Sequence, residues 1–214
     1  MKLEQLMRKS VLLCGALAAI VFVPIYARAA APSVQAGASG WRGVATEQDR
    51  LRIRGWRQAW MEGLRAAARE NGAAVAAEGA LLEPDAALLN PAPPAGNYLC
   101  RTMKLGAAGS GAVDWISYPA FTCRIGSGGG ALTFTKSGGS QRPHGRFYAD
   151  GVRRMIFLGT LQLGDERQIL TYGSDSQRDM AGILERVGDN RWRLVFPRPA
   201  FESVIDVVEL VPAG

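Results

Sequence analysis

Residues 137–146 concentrate the side chains best suited to ligand chemistry. They include Arg142, Arg146 and His144, the only histidine of the chain. An arginine guanidinium can hold a carboxylate or phosphate through two parallel hydrogen bonds. Glycine, serine and proline surround these residues, which is typical of a loop. We predict that this loop binds a ligand or a partner through Arg142, His144 and Arg146.

Nucleophilic and metal-dependent catalysis find little support in the sequence. A Ser-His-Asp triad would have to use His144, and no Gly-x-Ser-x-Gly turn presents a serine. A zinc site lacks ligands, because the chain offers one histidine, few cysteines and carboxylates without ligand-like spacing. The glycine-rich run 126–130 precedes a predicted strand instead of the helix that a phosphate-binding loop requires. We therefore expect no metal and no cofactor.

Paired carboxylates leave one enzymatic alternative open. Glycosidases place two acidic side chains beside the bond that they cleave. Glu202 and Asp206 share a strand face if their strand extends back, but nothing in the sequence joins two carboxylates in one cleft. The simpler interpretation is that the acidic residues form polar strand faces or pair with arginines. This interpretation covers Asp179, Glu185, Glu202, Asp206 and Glu209.

From residue 96 onwards, short apolar runs alternate with turn residues, which predicts successive antiparallel hairpins. Eight or nine such strands fit a small up-and-down β-barrel, lipocalin- or avidin-like in general architecture, better than a sandwich. With the helical segment described next, the fold class is α+β and mainly β. A barrel of this size either encloses one small ligand or is filled by side chains. The predicted strands cover residues 97–105, 115–125, 131–136, 145–148, 154–163, 167–172, 180–187, 191–196 and 204–211.

An amphipathic helical segment is predicted over residues 46–83. Thr46 and Asp49 resemble a capping box, and apolar residues then recur at three- and four-residue intervals. This spacing places Trp56 and Trp60 on one helix face. The simpler interpretation is that the pair is buried, either in the core or as a cap on an open end of the barrel, because amphipathic helices usually bury such a face; the alternative is a stripe that binds a partner.

The first 31 residues have the parts of a secretory signal peptide. A basic start precedes an apolar run over residues 11–26, and small residues at 27–31 offer a cleavage site. The run is too short to span a membrane. We predict an exported, periplasmic protein whose signal peptide, residues 1–31, is cleaved, with no stable membrane span afterwards.

Composition predicts the remaining domain boundaries. Residues 32–45 are predicted to form a flexible leader, because their first part is small, polar and rich in glycine and alanine. The prolines of residues 84–95 exclude a long helix or a central strand, so this stretch is predicted to be a linker. The barrel domain then occupies residues 96–214.

Cys100 and Cys123 are the only cysteines that follow the predicted signal peptide. Two thiols in an exported chain usually form a disulfide, so we predict a Cys100–Cys123 bridge. Closing such a loop stabilises a fold by about 3 kcal/mol in the chain-entropy model. A first hairpin with its tip at residues 106–111 places Cys100 opposite Tyr118 instead, so the register of this hairpin stays open.

The charge does not indicate a nucleic-acid partner. The chain has a net charge of +6, and the predicted signal peptide contributes +3 of it (four basic residues against Glu4), which leaves +3. Arginines dominate the remaining basic residues, and the only lysines among them are Lys104 and Lys136. These basic residues are scattered among acidic ones and form no stripe of the kind that binds nucleic acid.

Short motifs spread over residues 41–211 are specific when taken together. They include GNYLCR (96–101), YPAFTCR (118–124), SQRP (140–143), FLGT (157–160) and WRLVFP (192–197). With these motifs the chain resembles an uncharacterised family of exported alphaproteobacterial proteins, domain-of-unknown-function family 4893. The resemblance implies membership but no activity, because none is established for that family. The architecture is also similar to that of periplasmic protease-inhibitor barrels, which is an analogy of fold alone.

Together these features predict a non-enzymatic binding module for a small ligand or an envelope protein. An open barrel interior favours a small ligand, and a filled one favours contacts with a protein through loops or the helix face. The alternatives are a cell-envelope hydrolase with paired carboxylates, a protease-inhibitor-like protein and a structural envelope protein.

Overall fold

Nine antiparallel strands build the C-terminal part of the chain in this computed structural model, which describes residues 40–164 and 166–214. The predicted signal peptide and residues 32–39 of the predicted leader lie outside the described residues. The strands are β1 (Gly96–Ala108), β2 (Trp115–Ser117), β3 (Phe121–Gly128), β4 (Ala131–Lys136), β5 (Gln141–Ala149), β6 (Arg154–Leu163), β7 (Asp179–Gly188), β8 (Arg191–Pro197) and β9 (Glu202–Pro212).

Eight of these strands close into a barrel, which confirms the predicted fold class. Consecutive strands from β3 to β9 pair with one another, and β1 pairs with both β3 and β9. The closing ladder is long, running from Tyr98 opposite Pro212 to Ala108 opposite Glu202. The ninth strand, β2, continues beside β1 where β3 has ended, with Met103 opposite Ser117.

The first hairpin is interrupted, and this interruption settles its register. The single strand predicted over residues 115–125 is wrong, because residues 118–120 separate β2 from β3. Pro119 has no N–H to donate and cannot continue a ladder in mid-sheet. Tyr98 pairs with Cys123 and Cys100 with Phe121. All four side chains therefore share the inner face of the barrel.

The predicted disulfide is present, but it joins diagonal neighbours instead of directly opposed residues. The Cα atoms of Cys100 and Cys123 lie 5.9 Å apart, within the range that a bridge spans without backbone movement. Both cysteines are fully buried. The bridge ties β1 to β3 beside the point where β2 replaces β3.

Two further strand predictions need correction. Residues 167–172 form no strand, and β6 pairs directly with β7, Arg154 lying opposite Glu185. The hydroxyl of Tyr172 instead donates to Asp49 Oδ2 over 2.6 Å, so this residue anchors a helix. Strand β5 begins at Gln141, four residues before the predicted start. The residues predicted to form a ligand-binding loop therefore belong mostly to a strand.

Aromatic rings fill most of the barrel interior. Phe157 packs edge-on against Phe134, Phe147 and Phe196, with ring centroids 5.5–6.0 Å apart. Gly145 and Gly159 are directly opposed on β5 and β6. A Cβ atom on either glycine would lie 2.6 Å from the Phe157 ring, so the ring fits only because both side chains are missing.

Helices cover one outer side of the barrel. They are α1 (Trp41–Val44), α2 (Glu47–Arg54) and α3 (Trp56–Ala77), and a 3-10 turn follows at Gly79–Leu81. Helix α3 packs on β1, β8 and β9, and α2 packs on β7. The approach of α3 is close, since a Cβ atom on Gly63 would lie 2.7 Å from the Ile205 side chain. None of the helices in the described part is long and apolar enough to cross a membrane.

Both ends of the helical region pack against the barrel. Helix α1 lies inside the predicted flexible leader, so ordered structure begins about five residues before the predicted boundary. Trp41 is buried there, and its indole N–H donates to Asp150 over 2.9 Å. In the proline-rich segment, Leu88 forms an isolated bridge with Arg186 of β7. This linker lies along the barrel wall.

Candidate functional site

A cavity of about 170 Å³ lies at one end of the barrel. This end, called here the cavity end, is formed by the C-terminal ends of β1, β4, β6 and β8 and by the N-terminal ends of β3, β5, β7 and β9. The floor of the cavity is apolar and includes Leu161, Met180, Phe196 and Val208. Exposed residues at its rim, such as Ser140 and Glu202, open it to solvent. The interior is thus neither empty nor completely filled.

Lys104 of β1 is one of two buried amines in this cavity, and its charge is neutralised. Its Nζ atom lies 3.1 Å from Asp206 Oδ2, 3.2 Å from Glu202 Oε2 and 3.1 Å from Gln141 Oε1. Three acceptors thus match the three N–H bonds of an ammonium group. Burial alone would lower the pKa of Lys104, but the carboxylates of Asp206 and Glu202 outweigh it and raise that pKa.

Asp206 of β9 completes this ion pair inside the barrel. Burial raises the pKa of the Asp206 carboxyl, while Lys104 and the hydroxyl of Ser203 oppose the shift. Ser203 donates a hydrogen bond to Asp206 Oδ1. The carboxylate is therefore held in place by a cation and a hydroxyl.

Lys136 of β4 is the second buried amine, and it lacks a carboxylate partner in the described part of the chain. Its Nζ atom donates to the backbone oxygens of Gly138 (2.6 Å) and Gln141 (3.1 Å) and lies 4.6 Å from the centre of the Phe121 ring. Burial, with smaller contributions from the positive charges of Arg142 and Lys104, lowers the pKa of Lys136 to about 8. The third N–H bond of the Lys136 ammonium group has no hydrogen-bond partner among the described residues.

The two cavity lysines were missed as site residues, although the sequence contains a signal for them. They are the only lysines that follow the predicted signal peptide, and strand alternation puts both on inner faces. Lys104 has the parity of Tyr98 and Cys100 on β1, and Lys136 has the parity of Phe134 on β4. A lysine in phase with core residues indicates a buried amine, which is a frequent mark of function.

The predicted site residues of β5 lie on the opposite face from the cavity. Pairing with β6 places Gln141 and Pro143 inside the barrel, whereas Arg142, His144 and Arg146 point outwards. The structure therefore brings Arg142 and His144 together, but on the outer wall.

The guanidinium group of Arg142 is hydrogen-bonded to the backbone of the protein. Its guanidinium donates to the backbone oxygens of Gly139 (3.1 Å), Gly164 (2.5 Å) and Glu166 (3.3 Å). These bonds fix two of the connections that border the cavity end, the one between β4 and β5 and the one between β6 and β7. Arg142 thus supports the rim of the cavity and does not offer a free guanidinium to a ligand.

His144 has a local role as well. Its Nε2 atom lies 3.0 Å from Gln162 Oε1, and the Gln162 amide nitrogen donates to Glu166 O over 2.6 Å. Since this amide oxygen can only accept, Nε2 of His144 is the donor and carries the proton. Burial lowers the pKa of His144, which favours the neutral ring. Arg146 is exposed.

The helix tryptophans do not cap the barrel. Trp60 is 1% exposed and packs on the outer wall among Met103, Ile205 and Val207. Trp56 is half-buried and lies edge-on to Trp60, with ring centroids 6.1 Å apart. Neither tryptophan lines the cavity.

Of the acidic residues considered for catalysis, the structure brings two together. Glu202 and Asp206 meet at Lys104, whereas Glu185 pairs with Arg193 and Glu209 with Arg101 and Arg191. Asp179 accepts from Gly173 N over 2.8 Å and shares with Asp206 only the lining of a small neighbouring pocket. Within residues 40–164 and 166–214, no group of three histidine, cysteine, aspartate or glutamate side chains could hold a metal ion.

Comparison with known proteins gives a family but no activity. No curated protein and no solved structure matches the chain. The profile of one family, described as "Domain of unknown function (DUF4893)", matches residues 41–210. This match covers the helices and all nine strands except the last two residues of β9. The chain therefore belongs to the family of the domain of unknown function DUF4893.

Proposed function

We propose that the protein is a non-enzymatic binding module that holds a small ligand in the cavity of its barrel. The single observation that carries this proposal is the buried amine of Lys136, which faces a cavity with an apolar floor and has no carboxylate partner among the described residues. Burying an uncompensated cation costs stability. A ligand that supplies the missing acceptor recovers part of that cost.

The size of the cavity limits the ligand. An apolar cavity of about 150 Å³ holds one benzene molecule, and this one measures about 170 Å³. The ligand buried there is thus on the order of six to nine non-hydrogen atoms. It combines an apolar body, placed against Phe196 and Val208, with an oxygen-bearing head group at Lys136. A partly open interior favours a small ligand over an envelope protein as the principal partner.

We place this function in the bacterial periplasm. The basic start, apolar run and small residues of residues 1–31 support export. The Cys100–Cys123 bridge agrees with an oxidising compartment. Mass spectrometry of the protein from a periplasmic fraction tests the location: a mature N-terminus after residue 29 to 31 supports export, and an intact Met1 contradicts it.

Binding can be tested with two probes that share one apolar body. Toluene has no head group, whereas benzoate has a carboxylate that can accept a charge-assisted hydrogen bond from Lys136. We expect both to shift the NMR signals of cavity residues, and benzoate to bind about tenfold more tightly. Absence of binding by both probes at millimolar concentration would contradict the proposal.

A pair of variants on β9 shows whether the probes enter the barrel. Val208→Phe fills the cavity from inside and is expected to abolish binding. Val211→Phe adds the same ring at an exposed position of the same strand and is expected to leave binding unchanged. Equal binding by the two variants would place the probes outside the barrel.

A carboxylate-dependent hydrolase remains the second candidate, because Glu202 and Asp206 converge at the cavity. The Lys104 ammonium, however, lies between the two carboxylates, where a glycosidase keeps space for the glycosidic bond and a water molecule. Hydrolysis of peptidoglycan fragments that disappears in Glu202→Gln would favour this candidate over the binding module.

A further inference from the structure

The amine of Lys136 has the geometry of a nucleophile held in a pocket. Two backbone oxygens, of Gly138 and Gln141, take two of its N–H bonds. A neutral amine has two N–H bonds and one lone pair, so it can keep both hydrogen bonds while the lone pair is available. Protonation adds a third N–H, which has no hydrogen-bond acceptor among the described residues and meets at most the face of the Phe121 ring, whose centre lies 4.6 Å from Nζ.

The surroundings of Lys136 also favour the neutral form. The side chain is 5% exposed, and the only other lysine of the described residues, Lys104, binds the same glutamine, Gln141. A lysine becomes nucleophilic when it is desolvated or lies beside a second cation. With a pKa of about 8, about a tenth of the Lys136 amines are neutral at pH 7, against about 0.03% of ordinary exposed lysines.

Lys104 is unsuited to the same chemistry. Its three N–H bonds have three acceptors, two of which are carboxylates that stabilise the ammonium form. Of the two lysines in this cavity, Lys104 is thus a fixed cation, and Lys136 is the amine that is available to react.

We propose that Lys136 forms a reversible imine with a small aldehyde or ketone bound in the barrel cavity. This inference rests on the proposed binding function and names the chemical class of the head group. The carbonyl oxygen is an acceptor for an amine N–H before the reaction, and the carbonyl carbon is the electrophile.

The reaction balances without any additional oxidant or reductant. The lone pair of Lys136 Nζ attacks the carbonyl carbon, and a proton moves from nitrogen to the former carbonyl oxygen to give a carbinolamine. Loss of that hydroxyl, together with the remaining amine proton, releases one water molecule and leaves a C=N bond. Water returns through the rim to regenerate the amine and the carbonyl compound.

Reductive trapping with benzaldehyde tests the proposal, since this aldehyde has the same body as toluene and benzoate. Sodium cyanoborohydride converts each imine into a stable benzylamine, and peptide mass spectrometry gives the labelled fraction at each lysine. The Arg124→Lys variant supplies an exposed reference lysine on the outer face of β3. At pH 7 we expect Lys136 to be labelled at least tenfold faster than this reference, and Lys104 more slowly than Lys136.

Concentration and competition separate a bound from a collisional reaction. Labelling of Lys136 should saturate with benzaldehyde and be inhibited by benzoate, whereas labelling of the reference lysine should stay linear and uninhibited. Labelling of Lys136 no faster than the reference overturns the imine proposal. If benzoate still binds in that case, the binding function stands; if neither benzoate nor toluene binds, the binding function fails as well.

Discussion

Arg193 and Lys136 are buried cations on opposite sides of the barrel wall, and the structure treats them differently. Arg193 of β8 points outwards, under the chain that follows α3, and donates to Glu185 and to the backbone oxygens of residues 80, 81, 83 and 84. The Trp60 ring lies 4.5 Å from the guanidinium carbon. Lys136, inside the barrel, has two backbone oxygens and no carboxylate among the described residues.

This difference matches a structural role for Arg193 and the ligand-binding role proposed for Lys136. A buried charge whose hydrogen bonds are complete fixes the elements around it, here residues 80–84 and the wall of the barrel. A buried charge that lacks a hydrogen-bond partner lowers the stability of the fold. Such charges with shifted pKa values are frequent at sites where a ligand or a reaction uses them. Replacing Arg193 should therefore lower the free energy of unfolding, whereas replacing Lys136 should raise it.

Arg193→Met should cause the largest loss of stability. It leaves the Glu185 carboxylate buried without a cation and frees four backbone oxygens between residues 80 and 84, so we expect the free energy of unfolding to fall by about 3–5 kcal/mol. Urea denaturation at pH 7 measures the change. Arg191→Met, two residues earlier on β8, removes a partly exposed pair with Glu209 and should cost less than about 1 kcal/mol. Similar losses in both variants would contradict a special role for Arg193.

Lys104→Met should cause an intermediate loss, because it leaves the buried Asp206 carboxylate with only Ser203 as a partner. We expect the free energy of unfolding to fall by about 1–3 kcal/mol at pH 7. Burial raises the pKa of Asp206 in the folded state, and removal of Lys104 raises it further. The folded variant then binds a proton that the unfolded chain has released, so its deficit should be smaller at pH 5 than at pH 7. A deficit independent of pH would show that Asp206 does not titrate there.

Lys136→Met should increase stability at neutral pH. The pKa of Lys136 is about 8 in the folded state, below its value of 10.5 in the unfolded chain. Between these values the unfolded state binds the extra proton, so the wild type becomes more stable as pH rises from 8 to 10.5. We expect Lys136→Met to be more stable than the wild type by about 1–3 kcal/mol at pH 7, with the difference shrinking at pH 10.

The comparison of Lys136→Met with the wild type isolates this effect from other groups. The neighbouring Arg142, Lys104, Glu202 and Asp206 are present in both proteins, so the difference between the two proteins at each pH reports Lys136. Urea denaturation at both pH values measures the difference. An unchanged difference would show that Lys136 stays protonated in the folded state.

The sequence was sufficient to predict the barrel, because turn residues and the alternation of apolar and polar residues along strands are local signals. The bounds of β4 and β6 match the predicted strands, residues 131–136 and 154–163. The strand predicted over residues 167–172 is wrong because the apolar residues of this segment resemble a strand locally. In the structure, Tyr172 instead donates a hydrogen bond to Asp49 of α2. That contact joins residues 123 positions apart, which no local pattern shows.

The site was harder to predict because burial on both sides of the wall depends on tertiary packing. Arg193 occupies an outward strand position, which indicates solvent until a linker and helix cover it. Pro143 and Gly145 indicate a turn, although the structure places them on the inner face of β5. Gly145 is needed there by the Phe157 ring, and this reason is visible only in three dimensions. The start of β5 was therefore missed, and its charged residues were assigned to a loop.

Arg146 should give the smallest effect and tests the assignment of the two faces of β5. Its side chain is exposed and forms no hydrogen bond or ion pair with other described residues, so Arg146→Ala should change the free energy of unfolding by less than about 0.5 kcal/mol. Because the residue points away from the cavity, the same variant should bind benzoate as the wild type does. Gln141→Leu, on the inner face of the same strand, alters the cavity lining and frees one N–H of Lys104, so it should change the affinity for benzoate. NMR titration of both variants decides the matter: if Arg146→Ala changed the affinity and Gln141→Leu did not, the ligand would lie on the outer wall with Arg142 and His144, and the cavity would lose its role.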